Sequence, residues 1–258
     1  MAHDGQISER VRWAVASASA LGVQVTLATG RSFQSTLPYA QALEIHLPLI
    51  CYQGGLVQDV GTGETLYLAS LAPELVEESI DLSQAHGWQL ILYMRDEVLL
   101  TERRHSAEAY HHLLGPTVRQ VPDFRAAIPA RQAGNLDGGP LKLTFMAAEA
   151  EIAAIEAEMA RRFAGRMEIL RSHPNFVEGI PPGVSKKNAL VRVAGYLRIP
   201  RREVMAIGDQ DNDAAMVAWA GLGVTMGNGS PRCRDVADWI APAIEQDGAA
   251  VAIEHFLL

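Results

Sequence analysis

The chain has 258 residues, of which 48% are hydrophobic and 20% are charged, a balance typical of a well-packed α/β protein. Its formal net charge of −8 disfavours a nucleic-acid-binding protein, because such proteins present a basic surface. No polybasic cluster adjoins an amphipathic segment, which disfavours a membrane-surface role. The two cysteines, Cys51 and Cys233, are far apart, which favours a reducing compartment over a disulfide framework or a zinc site. With a polar first segment and no long apolar run, we expect a cytoplasmic protein.

The first 71 residues predict alternating helices and strands. Apolar residues at three- and four-residue spacing predict a helix over residues 8–21, which Gly22 ends. The β-rich run that follows predicts a strand over residues 23–28. The other predicted elements are a helix over residues 32–43, a strand over residues 49–51 and a hairpin over residues 56–59 and 65–68.

The pattern changes near residue 72. Helices are predicted over residues 72–86 and 148–163, and strands over residues 88–93, 97–101, 141–146, 167–171 and 175–178. Such a mixture is typical of an α+β module. The turn-forming run Ile180-Pro181-Pro182-Gly183 ends it.

After residue 183 helices and strands alternate regularly. The predicted helices cover residues 185–197, 211–220, 231–236 and 248–256, and the strands cover residues 203–207, 222–225 and 239–240. This alternation predicts a doubly wound parallel sheet, which the first segment also fits. We therefore expect an α/β fold with a core domain of residues 1–71 and 182–258 and an inserted domain of residues 72–181.

An acidic loop follows the predicted strand over residues 203–207. In Gly208-Asp209-Gln210-Asp211-Asn212-Asp213, three carboxylates lie within five residues. Like charges this close repel unless a positive charge lies among them. Oxygen ligands such as those of Asp209 and Asp213 suit a hard divalent cation, usually Mg²⁺.

Two further polar clusters are expected at the same edge of the sheet, because ligands of open parallel sheets bind beyond the carboxyl ends of strands. Thr29, Gly30 and Arg31 follow the predicted strand over residues 23–28, and Lys186 opens a helix. The Thr29 hydroxyl, the Gly30 backbone N–H and the Lys186 ammonium suit a phosphate dianion. We expect Mg²⁺ and Lys186 to offset the acids and to stabilise charge on a transferring phosphoryl group.

Three segments of the chain resemble motifs of a known superfamily. VTLATGR, GVSKKNAL and VMAIGDQDNDAAMVAWAGLGVTMGN are similar to motifs two, three and four of the haloacid dehalogenase superfamily of phosphatases, in its Cof-like branch. CYQGGLVQD, PLKLTFMA and SHPNFVEGIPPGVSK extend the resemblance over most of the chain. It implies a Rossmann-like core, an inserted α+β cap of type IIB, Mg²⁺, and hydrolysis of small phosphorylated metabolites through an aspartyl-phosphate.

The resemblance also implies roles for individual residues. Thr29 and Gly30 would hold the phosphate, with Lys186 and Asn212 assisting. Asp209 would ligate Mg²⁺, and Asp213 would support the metal shell.

One position near this site, Gln53, departs from the family pattern, and another, Arg31, has an open role. Gln53 and Gly54 occupy the place of an Asn-Gly turn near the site, so this amide is one methylene longer. Arg31 is expected either to reach the substrate or to brace its turn.

The first motif of the superfamily, Asp-x-Asp-Gly-Thr after a central strand, has no match in this chain. Its first Asp is the nucleophile and its second the general acid/base. Asp4-Gly5 is preceded by no apolar strand and is followed by Gln6. A core without that strand would have two unpaired strand edges and a gap in its packing.

Two explanations of this departure are considered. We favour a start upstream of Met1 that restores the motif, and the alternative is a non-catalytic protein that binds phosphometabolites. A phosphomutase, which shares the chemistry, is a third functional hypothesis.

Ordinary structural roles compete with these assignments. Thr29 could only cap a turn, and the acidic loop could only stabilise a helix N-terminus against its dipole. His105, Glu108 and His112 share a helical spacing, and we interpret them as a solvated face rather than as metal ligands.

Overall fold

The computed structural model describes residues 6–106, 109, 110, 114, 115, 117–128 and 138–258. Asp4, Glu108 and His112 lie outside the described residues. His105 is described, and its ring packs edge-on against that of Tyr110.

Several helices begin where the sequence places a capping serine. The hydroxyls of Ser8, Ser32, Ser185 and Ser230 each accept the backbone N–H of the residue three positions on, which satisfies a donor that the first helical turn leaves free. The described helices are α1 (Glu9–Ala20), α2 (Phe33–Ala42), α3 (Pro73–His86), α4 (Phe124–Ala127), α5 (Glu149–Arg162), α6 (Lys186–Tyr196), α7 (Ala214–Trp219), α8 (Pro231–Val236) and α9 (Gly248–Leu257).

The described strands form three sheets. They are β1 (Leu49–Cys51), β2 (Leu56–Gln58), β3 (Thr65–Leu68), β4 (Gln89–Tyr93), β5 (Val98–Leu100), β6 (Val118–Gln120), β7 (Lys142–Met146), β8 (Glu168–His173), β9 (Phe176–Ile180), β10 (Met205–Gly208), β11 (Leu222–Thr225) and β12 (Trp239–Ile240). β1, β2 and β3 pair antiparallel. β10, β11 and β12 pair in parallel, as the regular alternation of helices and strands predicts.

The third sheet has six strands, in the order β6-β5-β4-β7-β9-β8. Its strands all fall between residues 89 and 180. One hydrophobic cluster packs α3 and α5 against it. Another joins the other face of β4 to α1, α2 and β1, so this sheet is packed directly on the rest of the molecule.

The predicted strand over residues 23–28 is not formed as a regular strand. Within it the structure has an isolated parallel bridge, between Ala28 and Ile50, with hydrogen bonds from Ile50 N to Leu27 O (2.9 Å) and from Thr29 N to Ile50 O (2.8 Å). The reason is that a parallel strand needs hydrogen-bonded neighbours, and the adjacent β1 has only three residues.

A mainly apolar cavity of about 400 Å³ separates this segment from β10. Leu27 and Ala28 line one wall, Ile207 and Gly208 line the other, and α1 and α2 also contribute. We call it the inter-sheet slot. Among the described strands, none bridges it to join the β1 and β10 sheets.

Three elements differ further from the predictions. The helix predicted over residues 211–220 begins only at Ala214, because the preceding loop wraps around the Asp213 carboxylate. β6 and α4 lie in a stretch rich in Gly, Pro and Arg where no element was predicted. Among the described residues, no helix has the length and apolar character needed to span a membrane.

Candidate active site

A polar cavity of about 350 Å³ lies between the six-stranded sheet and the loops after Ala28 and β10. We call it the site cavity. It brings together all the predicted site residues except Gly54, namely Thr29, Gly30, Arg31, Gln53, Lys186, Asp209, Asn212 and Asp213. It adjoins the inter-sheet slot, because Thr29, Arg31, Lys186, Asp209 and Asp213 line both.

The positive charge among the acids is Lys186. Its Nζ lies 2.6 Å from Asp213 Oδ1, and both side chains are less than 10% exposed. The other oxygen, Oδ2, accepts the backbone N–H groups of Asp209 (3.0 Å) and Gln210 (3.1 Å). Asp213 therefore holds the acidic loop in shape and fixes Lys186 beside it.

Gly208 is required for this arrangement. A Cβ atom on Gly208 would lie 2.5 Å from the Asp213 Cβ, which is too close for any side chain. The glycine thus lets the loop fold back onto its own carboxylate.

Asp209 is the carboxylate better suited to a metal. Its side chain is half-buried, and its Oδ2 accepts a hydrogen bond from Gln210 Nε2 at 3.0 Å. Mg²⁺ typically uses one or two protein carboxylates together with water and phosphate oxygens, so Asp209 fits as such a ligand. Within the described ranges, no group of three or more His, Cys, Asp or Glu residues is arranged to hold a metal.

The Thr29 hydroxyl caps a turn and can still donate a hydrogen bond. Its oxygen accepts the backbone N–H of Arg31 at 3.1 Å, which is the ordinary capping role considered for this residue. A hydroxyl that accepts one hydrogen bond keeps its own hydrogen for donation. The Arg31 guanidinium lies 5.6 Å from the ring centroid of Tyr39, and Arg31 also lines the site cavity.

Gln53 connects the acidic loop with the six-stranded sheet. Its Nε2 donates to Glu178 Oε2 (3.0 Å), and its Oε1 accepts from Asn212 Nδ2 (2.9 Å). Its backbone has a φ of 61°, a left-handed conformation that is uncommon for residues other than glycine. The longer amide noted in the sequence therefore spans two parts of the molecule.

Gly54 has a packing role. Its φ is 102°, and a Cβ there would lie 2.4 Å from the carbonyl oxygen of Ser185. The absence of a side chain lets the start of α6 approach closely, which places Lys186 in the site cavity.

Sequence reasoning missed the residues that line the cavity from the six-stranded sheet. They are Tyr93, Lys142, His173, Phe176 and Glu178. The signal was present, since Lys142 and Glu178 are the single charged residues of β7 and β9, and such charges are rarely buried without a partner.

Burial and charge shift the pKa of groups around the site. Burial raises the pKa of the Cys233 thiol, and the negative charges of Asp213, Asp209 and Asp211 raise it further. Burial lowers the pKa of His173.

Comparisons with known proteins place the chain in a family. A family model described as haloacid dehalogenase-like hydrolase matches residues 1–253. The chain is 30% identical over 252 residues to the 5-amino-6-(5-phospho-D-ribitylamino)uracil phosphatase YcsE of Bacillus subtilis, covering 98% of this chain and 89% of the relative. It is 27% identical over 245 residues to the HMP-PP phosphatase of Serratia proteamaculans, covering 90% and 82%.

Solved structures show the same fold. A haloacid dehalogenase-like hydrolase from Bacteroides thetaiotaomicron superposes with a TM-score of 0.86 at 26% identity, covering 98% of this chain and 94% of that one. A subclass IIB sugar phosphatase of the same superfamily superposes with a TM-score of 0.79 at 20% identity, covering 97% and 92%.

The chain belongs to the haloacid dehalogenase-like hydrolase family. The predicted family, its Cof-like branch and the α/β fold class with a Rossmann-like core are confirmed. The predicted enzyme class, a phosphoric monoester hydrolase, is confirmed as well.

Proposed function

We propose that the protein is a Mg²⁺-dependent phosphatase of small phosphorylated metabolites, with residues 1–71 and 182–258 as its core and residues 72–181 as its cap. The observation that carries this proposal is the convergence of Thr29, Lys186, Asp209 and Asp213 on one cavity. These groups combine hydrogen-bond donors for a phosphate with a carboxylate for a cation. The names of the relatives, which are phosphatases of small phosphorylated compounds, support the same substrate class.

Each residue has a distinct task in this proposal. The Thr29 hydroxyl, the Gly30 backbone N–H and the Asn212 amide donate to phosphate oxygens. Lys186 is held by Asp213 and adds its positive charge at the phosphate. Asp209 would hold Mg²⁺, which supplies positive charge against the phosphoryl oxygens as they approach the acids.

We further propose that the aspartate nucleophile is carried by a strand that fills the inter-sheet slot. The slot is mainly apolar and lies between residues 27–28 and β10. It shares lining residues with the site cavity. A strand placed there would pair on both sides, and a carboxylate at its end would face the phosphate. That carboxylate would attack phosphorus as the bond to the ester oxygen breaks, and the second Asp of the motif would protonate the departing alcohol. Water would then hydrolyse the aspartyl-phosphate, which releases inorganic phosphate and restores the carboxylate.

Two chains test this proposal. One is the chain as it stands, and the other is the same chain preceded by an apolar strand ending in Asp-x-Asp-Gly-Thr. We expect Mg²⁺-dependent hydrolysis of p-nitrophenyl phosphate by the extended chain and none by the other. A matched control carries Asn for both Asp residues of the added motif, so it fills the slot without a nucleophile.

Two substitutions in the extended chain test the residue roles. Asp209→Asn should abolish Mg²⁺-dependent turnover, and Lys186→Ala should weaken both phosphate binding and turnover. Turnover by the chain without the added strand would refute the assignment of the nucleophile. Full activity of Asp209→Asn would refute the assignment of the metal ligand.

A further inference from the structure

The side of the site cavity opposite the acidic loop carries a closed ion pair. Lys142 Nζ lies 2.7 Å from Glu178 Oε1, and the two side chains are 5% and 3% exposed. Both residues line the site cavity. They stand on adjacent strands, β7 and β9, in which Thr144 pairs with Glu178 and Lys142 is the diagonal neighbour.

The described groups that contact this ion pair directly are uncharged. The second oxygen of Glu178 accepts the Gln53 amide at 3.0 Å, and Lys142 Nζ lies 4.2 Å from the ring centroid of Tyr93. Burial raises the pKa of Tyr93 far above its ordinary value, with a further contribution from Glu178, so its hydroxyl stays protonated. His173 also lines this side of the cavity, and burial lowers its pKa, which favours the neutral imidazole at pH 7. Among the described residues, this end of the cavity therefore has one positive and one negative charge that cancel.

A substrate meets the two ends of the cavity in different ways. In the proposed function its phosphate binds at Thr29, Lys186 and Asp209. Its leaving group then extends toward Lys142 and Glu178. A third charge at that end would face a like charge at short range and would lose water without gaining a free partner. Hydroxyl and neutral N–H groups, in contrast, can donate to Glu178, and hydroxyl oxygens can also accept from Lys142.

We infer that the Lys142–Glu178 pair selects phosphomonoesters whose leaving group is uncharged and rich in hydroxyl or neutral N–H groups. This inference rests on the proposed function and names the substrate class of the same site. Sugar and polyol phosphates belong to that class. Esters whose leaving group carries a carboxylate, a second phosphate or an ammonium group do not.

Three matched ligands test the inference by binding, which needs no turnover. Glucose 6-phosphate, 6-phosphogluconate and glucosamine 6-phosphate differ in leaving-group charge and little in size. Titration calorimetry at pH 7 with Mg²⁺ should give the wild-type chain about tenfold tighter binding of glucose 6-phosphate than of either charged ligand, as expected where like charges meet in a dry site.

Two substitutions should move this preference in opposite directions. Glu178→Gln leaves the Lys142 charge without its partner and should shift the preference about tenfold toward 6-phosphogluconate. Lys142→Met should shift it by a similar factor toward glucosamine 6-phosphate. The double variant is again neutral and should regain the preference for glucose 6-phosphate, which separates charge balance from damage to the fold.

Glu97→Gln provides the control. Glu97 forms an exposed ion pair with Arg119 at 2.6 Å. Neither residue lines the site cavity, so the ligand preference should not change.

The outcomes distinguish this inference from the proposed function. Failure of all three esters and of inorganic phosphate to bind would refute the phosphate site itself. Two outcomes would refute only the selection by the Lys142–Glu178 pair and leave the phosphate site in place. One is equal affinity for the three esters, and the other is an order of ester affinities that the variants do not change while inorganic phosphate still binds.

Discussion

Replacing Asp213 with alanine should destabilise the protein more than any loss of a surface ion pair. The carboxylate is 6% exposed and Lys186 is 9% exposed, with 2.6 Å between their charged atoms. The substitution leaves the Lys186 ammonium buried without its partner and removes the acceptor of two backbone N–H groups. Breaking a buried pair in this way costs about 3–5 kcal/mol, because the remaining charge stays in a site that water does not solvate.

The Arg10–Glu254 pair is the exposed control that isolates the effect of burial. Its closest atoms are also 2.6 Å apart, but the side chains are 47% and 27% exposed. Glu254→Ala should therefore have a much smaller effect than Asp213→Ala, since water and salt screen an exposed pair. Urea denaturation followed by circular dichroism gives the free energy of unfolding of both variants.

A thermal scan of the same proteins provides a second measurement. For a chain of this size a loss of about 4 kcal/mol corresponds to a fall in Tm on the order of 10 °C. If Asp213→Ala lowers the free energy of unfolding no more than Glu254→Ala does, the claim that burial makes the Lys186–Asp213 pair essential is wrong.

Two further predictions concern other groups near the site. Gln53→Asn shortens the amide that reaches both Glu178 and Asn212. The variant should lose one of the two hydrogen bonds and about 1 kcal/mol of stability. A urea unfolding curve that matches the wild type would show that the extra methylene is not used. Burial raises the pKa of the Cys51 thiol from 9.0 to about 12. The folded state thus holds this proton more tightly than the unfolded state, so its contribution to stability is complete below pH 9 and declines as the pH rises toward 12. The urea midpoint of the wild type should fall more steeply across this range than that of Cys51→Ala, and equal slopes would contradict the reasoning.

Local features of the chain were predictable from the sequence. Ser8, Ser32 and Ser185 mark helix starts that the structure places at the next residue, because a cap is decided by a few consecutive residues. The acidic loop was recognisable for the same reason, since its carboxylates and its Gly208 are neighbours in the chain. The family followed from these short segments.

Features that join distant residues were not predictable in this way. The β-branched run over residues 23–28 has the composition of a strand, yet the structure gives it a single bridge at Ala28, because pairing depends on which neighbours are present. Lys142 and Glu178 are 36 positions apart, and only the register of β7 against β9 places their charges in contact. No pattern within either strand indicates the other.

The sequence by itself determined which chemical groups this protein has at the end of each strand, and through them its family. Only the tertiary structure decided what each group is free to do. Asp209 and Asp213 are equivalent as carboxylates in the sequence, but Asp213 is engaged by Lys186 and two backbone N–H groups, whereas Asp209 is half-buried at the cavity. The physical reason is that a charge removed from water must find partners close by, and those partners come from elements that are remote along the chain.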